Sequence, residues 1–327
     1  MTPSLLITRS FFPDMLEKLN KYCNVVLWDR AAPPEKHWII RNLNHMDGMI
    51  TMLTDKIDEE IIRIGASQGL KVISQMAVGY DNIDVRSATE RKIAVGNTPG
   101  VLTETTADFT WALLMALVRQ VVQSHTEVQQ GVWRPWGPEV FAGIDVNGST
   151  LGIIGFGRIG QAVARRASGF GMRVLYYDPD GNRSKVSGIP GEPSGLEMLL
   201  CHSDFVSLHA NLTASSRNLI GKRQLELMKS TAFLINTARG AMVDHNALYD
   251  SLAKHQIAGA ALDVFEPEPI PADHPLLKLP NVIITPHIAS ASIATRRRMA
   301  SMSIENAYAG ITGKKLPYCV NPEIYNS

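Results

Sequence analysis

Cysteine is scarce in this chain: Cys23, Cys201 and Cys319 are the only three in 327 residues. They are odd in number, far apart and outside any C-x-x-C or Cys/His cluster, which excludes a disulfide framework and a zinc site. A reducing, cytoplasmic setting is expected. Charge of one sign is also lacking, since 32 Lys and Arg face 31 Asp and Glu for a net +1. No broad field is available to hold nucleic acid or an anionic membrane. The run Arg296-Arg297-Arg298 reads as the solvated face of a helix. Long hydrophobic runs are missing too: the most apolar stretch, Trp111 to Val118, is cut by Arg119 and is too short to span a bilayer. Met1-Thr2-Pro3-Ser4 followed by Leu5-Leu6-Ile7 reads as a short strand and not as a targeting segment.

What is present is an ordinary globular composition, 45% hydrophobic and 19% charged, in a chain long enough for two domains. Strand-like runs alternate with helix-like ones, the pattern of parallel sheets in an α/β protein. The first block carries candidate strands at Leu5–Ile7, Val25–Trp28, Met49–Met52, Val72–Ser74 and Ile93–Gly96, with helices such as Pro13–Leu19 and Asp58–Gly65. One long helix is expected from Thr103, as a cap, to Val122; its apolar residues cover most faces, predicting burial between domains or against a partner subunit. The second block repeats the alternation at Leu151–Ile154, Arg173–Tyr177, Asp204–Leu208, Thr231–Asn236, Ile257–Asp263 and Val282–Thr285. A last helix, Ala291 to Thr312, is expected to pack back on the first block.

Between the run Leu151–Ile154 and a helix-like stretch from Gln161 to Phe170 lies Gly155-Phe156-Gly157-Arg158-Ile159-Gly160. In a strand-turn-helix unit Gly155 permits the tight turn, Gly157 lets the backbone approach a pyrophosphate and Gly160 lets the helix pack on the sheet. Asp178 follows eighteen residues after Gly160, where a carboxylate accepts hydrogen bonds from the hydroxyls of an adenosine ribose. NAD(H) is the expected cofactor. Asp178 would repel the 2′-phosphate of NADP(H), while Arg183 and Lys185 close behind it keep that coenzyme as the alternative.

Ligands in such folds sit beyond the carboxyl ends of the strands, and three second-block strand ends carry chemistry there. They are Asn236-Thr237-Ala238-Arg239-Gly240, Asp263 to Pro269 with Glu268, and Thr285-Pro286-His287. Reducing a 2-oxo acid requires a cation for the carboxylate and carbonyl, and an acid to protonate the oxygen as hydride reaches carbon. A planar guanidinium binds two oxygens at once, and an imidazole titrates near working pH. A carboxylate beside the imidazole favours its charged form and orients the ring. Arg239, His287 and Glu268 fill those roles; each alone also reads as a loop charge, a turn residue or one of nine histidines.

Together with Val78 to Asp84, Asn97 to Leu102 and Thr106-Ala107-Asp108, these motifs resemble the D-isomer-specific 2-hydroxyacid dehydrogenases over nearly the whole chain. The resemblance implies two doubly wound parallel-sheet domains. One is a discontinuous, flavodoxin-like substrate domain at 1–98 and 290–327; the other is a Rossmann cofactor domain at 99–289. It implies Arg239 as substrate clamp, His287 as general acid/base and Glu268 as its partner. Val78 and Gly79 N–H groups would hold the substrate carboxylate, as a glycine-containing turn can. Thr106, Arg158 and Ile159 would contact the pyrophosphate, and Asp263 the nicotinamide carboxamide, unless Asp263 merely caps a turn.

Within that family Trp133 to Phe141 looks like the glyoxylate/hydroxypyruvate reductases, in which an equivalent of Trp136 reaches the substrate pocket across a homodimer interface. Leu53, Leu102 and Phe141 would line a small pocket for glyoxylate or hydroxypyruvate, with ordinary core packing the other reading of Leu53 and Phe141. Other members stay open: 2-ketogluconate or D-lactate types, or an NAD(H)-sensing binding protein. Formate dehydrogenases place Gln at Glu268 and phosphite dehydrogenases Lys at Val78, so both fit less well, as does phosphoglycerate dehydrogenase, for which the first block has no spare basic cluster.

Overall fold

The computed structural model describes residues 2–179 and 188–326; Arg183 and Lys185 lie outside the described residues. The chain divides into two compact units, Met1–Leu102 with Ser292–Ser327, and Thr103–Ala291. The turn Asn97–Leu102 belongs to the first unit. Thr98 N–H bonds to Ala77 O, and Gly96 bridges Cys319.

The first unit holds β1 (Ser4–Ile7), β2 (Asn24–Leu27), β3 (Gly48–Thr51), β4 (Val72–Gln75) and β5 (Ala94–Gly96) in the order β2-β1-β3-β4-β5. All pairings are parallel, with registers such as Leu5↔Val25 and Ile50↔Ser74. Helices α1 (Pro13–Leu19), α2 (Lys36–Asn42), α3 (Glu59–Ser67) and α4 (Val85–Glu90) connect the strands. β3 and β4 are buried at every position, as strands covered on both faces must be, so neither shows an alternation of apolar and polar residues. α3 starts where Asp58 accepts from Ile61 N–H, with Glu59 and Glu60 favourably placed in its first turn. Asp84 caps α4 in the same way on Ser87 N–H.

The second unit begins with α5 (Thr103–Val118) and α6 (Val121–Gln129). Its sheet contains β6 (Thr150–Ile154), β7 (Arg173–Tyr177), β8 (Glu192–Pro193), β9 (Phe205–Leu208), β10 (Phe233–Asn236), β11 (Gly259–Leu262) and β12 (Val282–Ile284). They run in the order β12-β11-β10-β9-β6-β7-β8, again wholly parallel. The connecting helices are α7 (Arg158–Ala167), α8 (Leu196–His202), α9 (Lys222–Leu227) and α10 (His245–Ala253). The strand order reverses between β6 and β9, so the loops after those two strands flank the switch point at which doubly wound sheets bind ligands. In the first unit the reversal lies between β1 and β3.

The expected bounds of the long helix are corrected. Thr103 is already helical, and the helix stops at Val118, with Gln120 in the left-handed region at φ 52° before α6 begins. Val118 O accepts Ile144 N–H, and the Gln120 side chain donates to Ala142 O, so the returning 142–144 segment holds the break. The burial of α5 is also met inside its own unit. It packs on α7, β10, β11 and β12; Trp111 donates to Val163 O and stacks on Phe170 at 4.8 Å. The exposed apolar side chains lie on α6 instead, at Val121, Val122 and Val128.

The last helix, α11 (Ile293–Ile311), capped by Ser292, packs on β3, β4 and β5 as expected; Ser303 O accepts from Ser74 and Asn97 O from Asn306. Of the arginine run, Arg297 pairs with Asp14 on α1. Among the described residues no helix is long and apolar enough to cross a membrane.

Candidate active site

The glycine turn leaves β6, whose last four residues are buried. Gly155 has φ +92°, and a Cβ there would lie 2.3 Å from Ala210 N, so only glycine fits. At Gly160 a Cβ would lie 2.2 Å from Gly155 O, which locks the helix against the turn. Gly157 differs: nothing lies within 4 Å of its Cβ position, leaving the backbone open to an approaching group. It caps α7 without a side-chain hydrogen bond, and no acid occupies the first turn. Bare N–H groups at a helix start, an open cradle and adjacent exposed Arg158 suit a pyrophosphate. Ile159 follows half-buried in the same turn. Asp178 comes directly after β7, the neighbour of β6, and is half-buried. Thr106 lies buried on α5.

Further along the same sheet edge, Asp263 is buried at the end of β11. Its carboxylate accepts from Thr285 Oγ1 at 2.6 Å, Ile288 N–H at 2.9 Å and Ala289 N–H at 2.8 Å, and its carbonyl from His287 N–H at 2.8 Å. It therefore caps the turn that carries His287. That turn needs fastening, because His287 sits at φ +56°, a conformation few non-glycine residues adopt without support.

So held, the His287 ring presents Nδ1 to Glu268 Oε2 at 2.8 Å, the two side chains being 22% and 25% exposed. Glu268 Oε1 accepts Phe265 N–H at 2.9 Å, which fixes the carboxylate from its other side. Burial pushes the Glu268 pKa up, but the His287 hydrogen bond and charge, the Phe265 N–H and the Arg239 charge together leave it below the usual carboxylate range. An ionised Glu268 accepts only, so Nδ1 carries the proton and Nε2 is the remaining working nitrogen.

Arg239 follows β10 in a loop organised by Asn236, whose side chain donates to Arg239 O at 2.9 Å and accepts Ala238 N–H at 3.0 Å. Gly240 presses this loop on Phe265, where a Cβ would come within 2.0 Å of a backbone carbon. The structure thus brings Arg239, Glu268 and His287 onto one edge of one unit. Two other histidines near it are biased toward the neutral form. Burial pushes His209, beside the glycine turn, down to about 3, and burial with the nearby His274 lowers His245, which lies against Phe265.

In the first unit Val78 and Gly79 follow β4. Ala77 O accepts Thr98 N–H at 2.9 Å, and Val78 O accepts Asn97 Nδ2 at 2.8 Å. Two successive carbonyls are turned toward the same segment, so the planar trans peptides aim the N–H groups of Val78 and Gly79 the other way. Neither N–H has an acceptor among the described residues. Such paired donors form an anion-binding concavity. Asn97 and Asn236 stood in sequence motifs, but their bonds to the Val78 and Arg239 carbonyls did not show there, because side-chain amides facing backbone carbonyls leave no periodic signal. Leu53 is half-buried in the loop after β3, and Leu102 is buried.

Trp133 and Trp136 are 80% and 92% exposed, in the segment beyond α6. Phe141, half-buried under the Arg134 guanidinium at 5.4 Å, lines a concavity of about 480 Å³ with Gln123, Glu127 and Pro280.

Two doubly wound sheets, a glycine cradle at the switch point of one and an Arg, Glu and His set on that sheet's edge define a dinucleotide-binding oxidoreductase. Residues 111–289 match the model of the D-isomer specific 2-hydroxyacid dehydrogenase NAD binding domain. A glyoxylate reductase of Korarchaeum cryptofilum is 51% identical over 99% of this chain and 97% of its own. A crystal structure of a Thermus thermophilus protein superposes with a TM-score of 0.90 at 43% identity, covering 97% of this chain and 99% of that one. An NADPH-dependent glyoxylate/hydroxypyruvate reductase of Sinorhizobium meliloti, in complex with NADP and malonate, gives 0.86 at 31% identity over 98% of both chains. The chain belongs to the D-isomer-specific 2-hydroxyacid dehydrogenase family.

Proposed function

We propose that this protein reduces small 2-oxo acids, glyoxylate and hydroxypyruvate foremost, to D-2-hydroxy acids. The observation that carries the reading is the 2.8 Å bond between His287 and an ionised Glu268 on the sheet edge that also bears Arg239. Full-length relatives named glyoxylate reductase support it. Reduced nicotinamide, when bound, supplies the hydride. The first turn of α7 with Gly155, Gly157, Arg158, Ile159 and Gly160 would hold the pyrophosphate with help from Thr106; Asp178 would hold the ribose and a remaining lone pair of Asp263 the carboxamide. Val78 and Gly79 N–H groups hold the substrate carboxylate, Arg239 grips carboxylate and carbonyl oxygens, and His287 delivers a proton from Nε2 to the carbonyl oxygen. Glu268 keeps Nδ1–H and stabilises the imidazolium before that transfer. Leu53, Leu102 and Phe141 restrict the size of the group beyond the carbonyl.

Support for a homodimer comes from the exposed apolar side chains of α6 and of Trp133 and Trp136. Solvent exposure of that extent on a tryptophan favours a partner surface. In such a dimer Trp136 enters the other copy's substrate pocket.

Initial rates with glyoxylate, hydroxypyruvate, pyruvate and 2-ketogluconate, each with NADH and NADPH, test the activity and its coenzyme together. Asp178 predicts a higher kcat/KM with NADH, since a carboxylate repels a 2′-phosphate; equal values for the two coenzymes refute that assignment. Tight coenzyme binding with no oxidation by any of the acids refutes the reductase and favours a sensor.

Glu268 carries a further prediction. Its depressed pKa keeps it charged at neutral pH, so a carboxylate faces Nδ1–H across the hydrogen bond. Glu268→Gln removes the charge, so the alkaline fall of kcat/KM for reduction moves to lower pH. A profile superimposable on the wild type counts against the pair.

A further inference from the structure

We infer that Asn97 is a positioning residue that sets the carboxylate selectivity of the reductase, by holding the Val78–Gly79 peptide so that its N–H faces the substrate. The inference rests on the proposed role of those main-chain donors and concerns what makes them donors at all. A peptide link exposed on a loop is free to rotate, and a half-turn about its flanking bonds would present a carbonyl oxygen where the N–H now is. The oxygen would repel an incoming carboxylate. The orientation of this one peptide therefore decides between anion binding and anion rejection.

Asn97 makes that decision through Nδ2, which donates to Val78 O at 2.8 Å. The backbone of Asn97 is itself framed by the first unit. Asn97 O accepts Asn306 Nδ2 at 2.9 Å, Asn97 N–H donates to Tyr318 O at 3.2 Å, and Asn306, fully buried, accepts Tyr318 N–H at 3.1 Å. A four-group frame of amides and backbone thus anchors the residue that turns the Val78 carbonyl.

The next carbonyl is held as well. Gly79 O accepts Gln75 Nε2 at 3.3 Å, and the same nitrogen donates to Asn82 Oδ1 at 2.8 Å. Gln75 is fully buried, and its Oε1 accepts Thr51 Oγ1 at 2.7 Å. Asn82 Nδ2 in turn donates to Met52 O at 3.1 Å and Asp55 O at 2.7 Å, gripping the loop that carries Leu53. Every side-chain amide in this set points a donor at a backbone carbonyl or passes one along, so the amide orientations are fixed by their partners. Of the three, only Asn97 contacts the Val78–Gly79 peptide itself, whereas Gln75 and Asn82 tie the two loops together.

The substitution Asn97→Asp keeps size and shape, removes the donor and sets a carboxylate oxygen against Val78 O. Asn97→Ala removes the donor without the repulsion. Both are compared with wild type in the NADH-loaded enzyme, using glyoxylate and glycolaldehyde, which replaces the carboxylate with a hydroxymethyl group, and oxalate as a dead-end carboxylate. In Asn97→Asp the glyoxylate KM and the oxalate inhibition constant rise by about tenfold or more, with a smaller rise in Asn97→Ala, the scale expected when a hydrogen bond to a charged group is lost. The kcat on glyoxylate, the kcat/KM on glycolaldehyde and the NADH dissociation constant stay near wild type. Equal losses on glyoxylate and glycolaldehyde, or an unchanged glyoxylate KM in both variants, overturn the inference and leave the main-chain subsite standing. A wild-type enzyme that shows no preference for glyoxylate over glycolaldehyde overturns the subsite and the inference with it.

Discussion

Arg239→Ala is expected to lower kcat/KM for glyoxylate by at least about a hundredfold, the scale of losing one preorganised donor to developing negative charge. As hydride reaches the carbonyl carbon, charge builds on oxygen, and a guanidinium already in place is worth more to the transition state than to the bound substrate. Preorganisation is visible in the loop itself. Asn236 fixes the backbone on both sides of Ala238, Gly240 is wedged on Phe265, and Arg239 Nη1 donates to Ala238 O at 2.8 Å. A lysine keeps the charge but loses the planar fork, so Arg239→Lys recovers only part of the rate. The substitution has a second consequence. The Arg239 charge helps hold Glu268 ionised, so Arg239→Ala narrows the pH range on the acid side as well. Near-normal turnover by Arg239→Ala, measured with NADH at saturating and at low glyoxylate, refutes the clamp.

Much of this site is legible in the residue order because each functional group follows an apolar strand. Phe233 to Asn236 and Gly259 to Leu262 are buried throughout and Val282 to Ile284 at its centre, and the residues just beyond them had to open on one edge if the sheet was parallel. The glycine spacing was readable for a similar reason: Gly155 and Gly160 are forced by backbone contacts that no other residue tolerates. The two-residue strand β8 was invisible, since Glu192 and Pro193 are exposed and carry no apolar pattern. The break at Gln120 was equally hidden, because it depends on Ile144 N–H arriving from a distant loop and not on a local glycine or proline. Side-chain ambiguity follows the same rule. Asp263 reads as a ligand or as a cap, and only its bonds to Thr285, Ile288 and Ala289 reveal the capping.

Replacing His287 with asparagine is expected to cut kcat for reduction by about 10²- to 10⁴-fold, the range for loss of a positioned general acid. Asparagine is the informative choice because it tolerates positive φ better than most residues, and position 287 sits at φ +56°. The turn held by Asp263 therefore survives, and the change removes the proton without dismantling the loop. Coenzyme binding stays near wild type, since the glycine turn after β6 is untouched, and the unfolding temperature moves little. The pH profile supplies the sharper check. If His287 is the donor, the residual rate of His287→Asn no longer falls through the alkaline limb that the wild type shows, and Glu268→Gln has no further effect on it. Two substitutions that act through one proton are non-additive, whereas independent ones multiply. A double variant whose losses multiply would mean that Glu268 and His287 act separately, and the 2.8 Å bond between them would then serve the fold and not the reaction.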